Sequence, residues 1–211
     1  MRLELRFKSF GGRPVLGALT LAVAAGERVA LLGPSGVGKT TLIRIVAGLD
    51  RDFHGRLDVP ERLAMVFQEP TLLPWRTALL NVTLPTGADR DHARRLMAEV
   101  GLAGREAAYP RQLSLGQQRR LGLARAFAAN PRILLMDEPF ASLDADTAGR
   151  MLDLTARLLE GSGAGLILVT HDPAEAARLS ARPLMLAGAP ATLGERVTAP
   201  SSPRPRKSSF R

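Results

Sequence analysis

Eight consecutive residues, Gly33, Pro34, Ser35, Gly36, Val37, Gly38, Lys39 and Thr40, restrict the fold more than anything else in the chain. They fit the pattern G-x-x-x-x-G-K-[ST], in which glycines let backbone N–H groups curve around phosphate oxygens. The pattern has meaning only between a strand and a helix, and both are legible. Residues 29–32 (VALL) form a short apolar run suited to a buried strand, and residues 40–49 (TTLIRIVAGL), which begin with Thr40 and Thr41, carry apolar positions at helical spacing. A strand, a glycine-rich loop and a helix in that order set the positive end of the helix under a polyphosphate. Lys39 then reaches the β- and γ-phosphates and the Thr40 hydroxyl takes a Mg²⁺ position. Of 29 basic residues only Lys8, Lys39 and Lys207 are lysines, so lysine is kept here against a strong arginine bias. The same bias makes each of the other lysines worth attention.

The remaining pattern predicts an α/β fold. Short apolar runs at 63–67, 133–136, 165–169 and 184–187 read as strands buried on both faces, and helical patterns at 91–102, 115–130, 147–161 and 173–181 alternate with them. At the amino terminus LELRF puts Leu3, Leu5 and Phe7 on one face at period two, as a half-buried strand requires. The stretch from about 70 to 130 has helical patterns but no strand signal, which predicts a helical subdomain inserted in a body spanning 1–196. Residues 197–211 are Pro/Ser-rich and hold Arg204, Arg206, Lys207 and Arg211 without an acidic residue, the composition of a disordered tail. That tail accounts for 4 of the 9 net positive charges and weakens the case for nucleic acid as a partner. There is no cysteine, which excludes disulfides and thiolate metal sites, and His54, His92 and His171 are scattered. No apolar run approaches a membrane span and the first residues lack the apolar run of a signal peptide, so a cytoplasmic location is expected.

A second chemical signal is ILLMDEP, where an apolar strand ends in Asp137 and Glu138. Two carboxylates at the carboxyl edge of a parallel sheet lie where α/β proteins bind ligands. Asp137 suits the Mg²⁺ role of a strand-end aspartate, and Glu138, one step closer to the γ-phosphate, suits a group that orients or deprotonates an attacking water.

With these residues in place the chain resembles the ATP-binding subunits of ABC transporters, because further motifs follow in that family's order. Gln68 in VFQEP matches the Q-loop, and Ser114, Leu115, Gly116 and Gln117 in LSLGQQRR match the signature. Ser142, Leu143 and Asp144 match the D-loop, and His171 in LVTHD matches the switch histidine. The resemblance implies a P-loop NTPase (RecA-like) core with an N-terminal antiparallel β portion and an inserted helical subdomain. It implies ATP and Mg²⁺ as ligands, with Thr40, Gln68 and Asp137 on the metal and Glu138, His171 and Gln68 as the catalytic set. Two copies would pair head to tail, each ATP lying between one phosphate loop and the other copy's signature. Phe10, out of phase with Leu3, Leu5 and Phe7 and followed by Gly11 and Gly12, matches the family's adenine-stacking aromatic; ordinary packing is the competing reading. Residue 115 departs from the family, which usually has glycine there. Leucine adds bulk and disfavours positive φ, so the resemblance there implies weaker closure or a less active site.

The segment EPTLLPWRTALLNV holds the only tryptophan, Trp75. In the family this surface receives the coupling helix of the membrane permease, which implies docking around residues 68–81, with Leu72, Leu73 and Trp75 as an apolar patch or, equally, as packing of the helical subdomain. EPTLLPW looks like cassettes that import nitrate, sulfonates, taurine and related small solutes. The expectation is an ATP-hydrolysing importer subunit. It would be peripheral on the cytoplasmic face of the plasma membrane, homodimeric on ATP binding, and served by a substrate-binding protein through the permease. A soluble cassette ATPase acting on DNA or the ribosome, and a nucleotide-binding regulator with little turnover, are the alternatives.

Overall fold

The computed structural model describes residues 1–195, so the expectation for the basic tail at 197–211 falls outside the described residues. Ten strands join in one hydrogen-bonded array. Its parallel half runs β9 (Arg182–Gly188), β4 (Arg28–Leu32), β8 (Gly165–Val169), β7 (Ile133–Asp137) and β6 (Leu63–Val66). β10 (Ala191–Glu195) folds back antiparallel on β9 and meets β2 (Arg13–Leu16). β2, β3 (Leu19–Ala22) and β5 (His54–Asp58) all pair antiparallel with β1 (Arg2–Phe10).

The parallel strands are short and apolar because both faces are covered. Alternate side chains serve two cores. Val29, Leu31, Ile133, Leu135, Ile167 and Val169 pack with Leu42, Ile43 and Ile45 of α1 (Lys39–Val46) on one face. Ala30, Leu134, Met136, Leu166 and Leu168 pack on the other face with Leu158 and Leu159 of α5 (Ala145–Ser162). That second core continues without a break into the stretch between β6 and β7, through Val82 of α2 (Ala78–Thr86), Met97 of α3 (Arg90–Glu99) and Leu121 and Leu123 of α4 (Leu115–Ala128). A last short helix, α6 (Pro173–Arg178), follows β8.

β1 departs from the expected alternation. Leu3 and Leu5 are buried, but Phe7 is 43% exposed and stacks on His54 with ring centroids 4.2 Å apart. The register against β5 shifts between Leu5 and Phe7, and that against β2 shifts between Lys8 and Ser9. A one-residue slip exchanges the faces of a strand, so Lys8 turns inward in place of Phe7 and is 2% exposed. The helix over 78–86, apolar on several sides and carrying Pro85 in its last turn, is present although its pattern gives no clean helical stripe.

Candidate active site

The site is assembled at the carboxyl ends of β4, β7 and β8. After Leu32 the chain enters a loop that only glycine fits at two points. A Cβ on Gly33, φ +153°, would lie 2.4 Å from the Leu186 carbonyl oxygen, and one on Gly38, φ +111°, would lie 2.8 Å from Leu16 Cδ2. Gly38 starts α1 with no side chain capping it, which leaves the first-turn N–H groups aimed outward as an anion site. The Lys39 ammonium folds back over this loop and donates to the carbonyls of Gly33 (2.9 Å) and Pro34 (3.1 Å). It is 5% exposed and 3.9 Å from Glu138 Oε1. The cation thus spans from the phosphate loop to the strand-end acids.

Thr40 donates its hydroxyl hydrogen to Asp137 Oδ1 at 3.3 Å. Burial holds the Asp137 carboxyl above the ordinary aspartate range, and the neighbouring Glu138 charge pushes the same way against the Thr40 hydrogen bond. Two oxygen donors this close, one of them a partly desolvated carboxylate, suit a hard divalent cation. Among the described residues no cluster of three or more acidic or histidine groups could hold a metal by itself.

Glu138 sits at φ +46°, the left-handed region that a residue with a Cβ enters at a cost of about 1–2 kcal/mol. Its N–H donates to the Val169 carbonyl at 3.0 Å, and the Thr170 N–H donates to the Leu31 carbonyl at 3.2 Å, which ties the ends of β7, β8 and β4 together. The Thr170 hydroxyl then donates to Glu175 and accepts the Asp172 N–H at 3.0 Å, bracketing exposed His171 in a pinned turn. Burial, together with the charges of Asp172 and Glu138, raises the Glu175 carboxyl above the usual glutamate range.

Ser114 caps α4 reciprocally: its Oγ accepts the Gln117 N–H at 3.2 Å and the Gln117 side chain accepts the Ser114 N–H at 2.9 Å. Leu115 is the first helical residue, is absent from the residues of positive φ, and is 55% exposed. The expected penalty for a leucine forced into positive φ therefore does not arise. Ser142 turns at φ +61°, Leu143 packs on the second core, and Asp144 caps α5 by accepting the Thr147 N–H at 2.9 Å. Gln68, Leu115 and Ser142 line one open groove, so Q-loop, signature and D-loop share a face. Among the described residues no hydrogen bond or ion pair joins positions 114–117 to the phosphate loop. Phe10 is 52% exposed beside the Gly11–Gly12 turn.

The candidate docking patch divides. Leu72 packs on the second core while Trp75 is 67% exposed. Asn81, fully buried, holds this loop by accepting the Leu73 N–H (2.7 Å) and donating to the carbonyls of Leu73, Arg76 and Thr77 at 3.0–3.1 Å. Sequence reasoning passed over Asn81, Thr170, Glu175 and the inward turn of Lys8. Of these only Lys8 had a signal, its rarity in an arginine-rich chain.

Residues 16–141 match the family model described as ABC transporter. The chain is 47% identical over 208 residues to an aliphatic sulfonates import ATP-binding protein, SsuB, of Granulibacter bethesdensis, covering 96% of this chain and 86% of that one. A relative of the same description from Paraburkholderia xenovorans is 50% identical over 181 residues, covering 85% and 73%. Among solved structures, the ATP-binding cassette MJ0796, a dimer in a post-hydrolysis state with ADP and Pi, superposes with a TM-score of 0.74 at 30% identity, covering 92% of this chain and 95% of that one. With a phosphate loop, strand-end acids and match of this extent, the chain belongs to the ABC transporter family as one of its ATP-binding cassettes.

Proposed function

We propose that this chain is the ATP-hydrolysing subunit of an importer, and that the imported solute is an aliphatic sulfonate. The observation that carries the catalytic part is the convergence of phosphate loop and acids: Lys39 Nζ lies 3.9 Å from Glu138 Oε1 and Thr40 Oγ1 lies 3.3 Å from Asp137 Oδ1. The names of the relatives support the solute class.

The triphosphate is held by the loop of residues 33–41, in which Gly33, Ser35, Gly36, Val37, Gly38, Lys39, Thr40 and Thr41 offer backbone N–H groups and Pro34, which has none, shapes the turn. Lys39 exchanges its two loop carbonyls for β- and γ-phosphate oxygens, at the same place and with little motion. Thr40, Asp137 and Gln68 would hold Mg²⁺, which when bound supplies neutralisation of charge on the phosphate oxygens. Glu138 accepts a proton from the water whose oxygen bonds to the γ-phosphorus as the bridging P–O bond breaks toward ADP. Its left-handed backbone aims the carboxylate over the loop, and His171, presented by the turn that Thr170 and Asp172 pin, steadies it against the γ-phosphate. Phe10 stacks on adenine.

The helical stretch at about 70–130 carries the signature to a second copy. The Ser114 oxygen already accepts from Gln117, so its own hydrogen remains to donate to the partner's γ-phosphate, beside the N–H groups of Gly116 and Gln117. Ser142, Leu143 and Asp144 form the rest of that contact. In this reading Trp75 and the loop that Asn81 organises face the permease, and the chain is peripheral on the cytoplasmic face of the membrane. Among the described residues no helix is long and apolar enough to cross a membrane. With Leu115 in ordinary helical geometry, the backbone argument for a regulator without turnover falls away, and only the bulk of the side chain is left to support it.

Light scattering and phosphate release test this. Glu138→Gln should keep ATP binding, lower phosphate release by roughly 10²–10⁴-fold, and double in mass with ATP; adding Lys39→Ala should abolish the doubling. Sulfonate-dependent growth of a strain lacking its own sulfonate cassette, restored by this chain with its cognate permease, tests the solute. Unchanged phosphate release in Glu138→Gln overturns the catalytic assignment.

A further inference from the structure

The side chain of Lys8 is the least expected feature of the molecule: a lysine at 2% exposure, the largest of the fully buried side chains among the described residues. Its ammonium donates to Asp50 Oδ1 at 3.0 Å, to Asp52 Oδ2 at 3.3 Å and to the Asp52 carbonyl. Burial works against its charge, but the hydrogen bonds and charges of Asp50 and Asp52 outweigh that and hold its pKa above the ordinary lysine value. The same nitrogen stands over the Phe10 ring, 4.4 Å from its centroid. Since Lys8 is buried and Phe10 is half exposed, the ammonium covers the inner face of the ring and the outer face is open to solvent.

Asp50 is in turn fixed to the end of the phosphate-binding helix, its N–H donating to the Arg44 carbonyl of α1 at 3.2 Å. One helix therefore presents its first turn to the phosphates and, through Asp50 and Lys8, holds the aromatic ring from behind. We infer that Lys8 is a positioning residue for the nucleotide base: it sets the distance between ring and phosphate loop and, as a cation on the inner face, makes the outer face a better stacking surface. This rests on the reading of Phe10 as the adenine platform. A cation drawn to a ring's negative face withdraws π-density, and that lowers the repulsion an electron-rich purine meets on the opposite side. Lys8 and Phe10, two residues apart, share one side of the strand, and the register shift between Leu5 and Phe7 is what turns Lys8 inward.

The test separates base from phosphate by measuring, in the full chain, KM and kcat for ATP and the inhibition constant of inorganic tripolyphosphate, which has no base. Lys8→Met should raise KM for ATP about five- to tenfold, move kcat less than twofold, and leave the tripolyphosphate constant unchanged. Introduced with Phe10→Ala, it should add nothing further. If Lys8→Met does not fold, the doubly substituted Asp50→Asn, Asp52→Asn chain keeps the ammonium but frees its tether, and should raise KM for ATP at least threefold with the tripolyphosphate constant again unmoved. If Phe10→Ala weakens ATP binding but these variants do not, the role assigned to Lys8 is wrong while the platform stands. If Phe10→Ala has no effect, the platform reading fails and the inference goes with it. If KM and the tripolyphosphate constant rise together, Lys8 is only a structural tie and the inference is overturned.

Discussion

Replacing Asn81 by alanine tests how the loop behind Gln68 is held. The amide makes four side-chain hydrogen bonds, but their loss is unequal. The Thr77 carbonyl keeps the Asn81 backbone N–H at 2.8 Å and the Leu73 carbonyl keeps the Arg76 N–H at 3.1 Å. What Asn81→Ala orphans is the Leu73 N–H and the Arg76 carbonyl. At about 1 kcal/mol or slightly more for each orphaned group, plus a small void where a fully buried side chain stood, the cost is about 2–3 kcal/mol. For a folded body of this size that is a drop of about 6 °C in Tm, read by calorimetry without nucleotide. Asn81→Asp should cost more than Asn81→Ala, because it keeps the acceptor for Leu73 but points an oxygen at three carbonyls within 3.1 Å. Protease cleavage between residues 70 and 77 should rise in both. An alanine variant melting within 2 °C of the parent, or an aspartate variant milder than the alanine one, would refute the assignment of Asn81 as the organiser of this loop.

Two further outcomes are expected. Glu175 has a raised folded pKa, so the stability it contributes is fully present below the ordinary glutamate pKa and is lost as pH rises through the raised value; urea unfolding should show Glu175→Gln gaining on the parent across that window and no relative change far above it. Leu115→Gly should lower Tm by about 1–2 °C through helix propensity and should not raise phosphate release, because the backbone there is already helical; a severalfold rise would show that the leucine side chain obstructs closure.

The parts of the molecule that were legible share a physical property: their partners are near in sequence or their geometry is dictated by glycine. The phosphate loop, the acids after β7 and the cap at Ser114 are each set by fewer than ten consecutive residues, and the buried parallel strands announce themselves by apolar runs. β2 and β5 escape sequence reading because four or five residues of mixed polarity carry no period of their own, and β3 because an alternation of four residues is too short to stand out; each is held by pairing with β1. Alternation alone puts Phe7 on the buried face, because the register shift that turns it outward is created only by pairing with β5. Lys8 and Asp50 are 42 residues apart and meet only when β1 crosses the end of α1. The usual glycine at position 115 points to backbone strain there, yet Leu115 has none, and the non-glycine residues of positive φ include Glu138 and Ser142 at the site, where the residue types give no warning.

The backbone at Glu138 also bears on how this protein can be engineered. A residue at φ +46° is one at which a stability-guided redesign would try glycine, since glycine removes the conformational penalty. The variant so chosen would melt higher, bind ATP and move no solute. Selection for thermal tolerance alone would therefore discard the carboxylate proposed to receive the proton of the attacking water, and that conflict can be read from a single torsion angle.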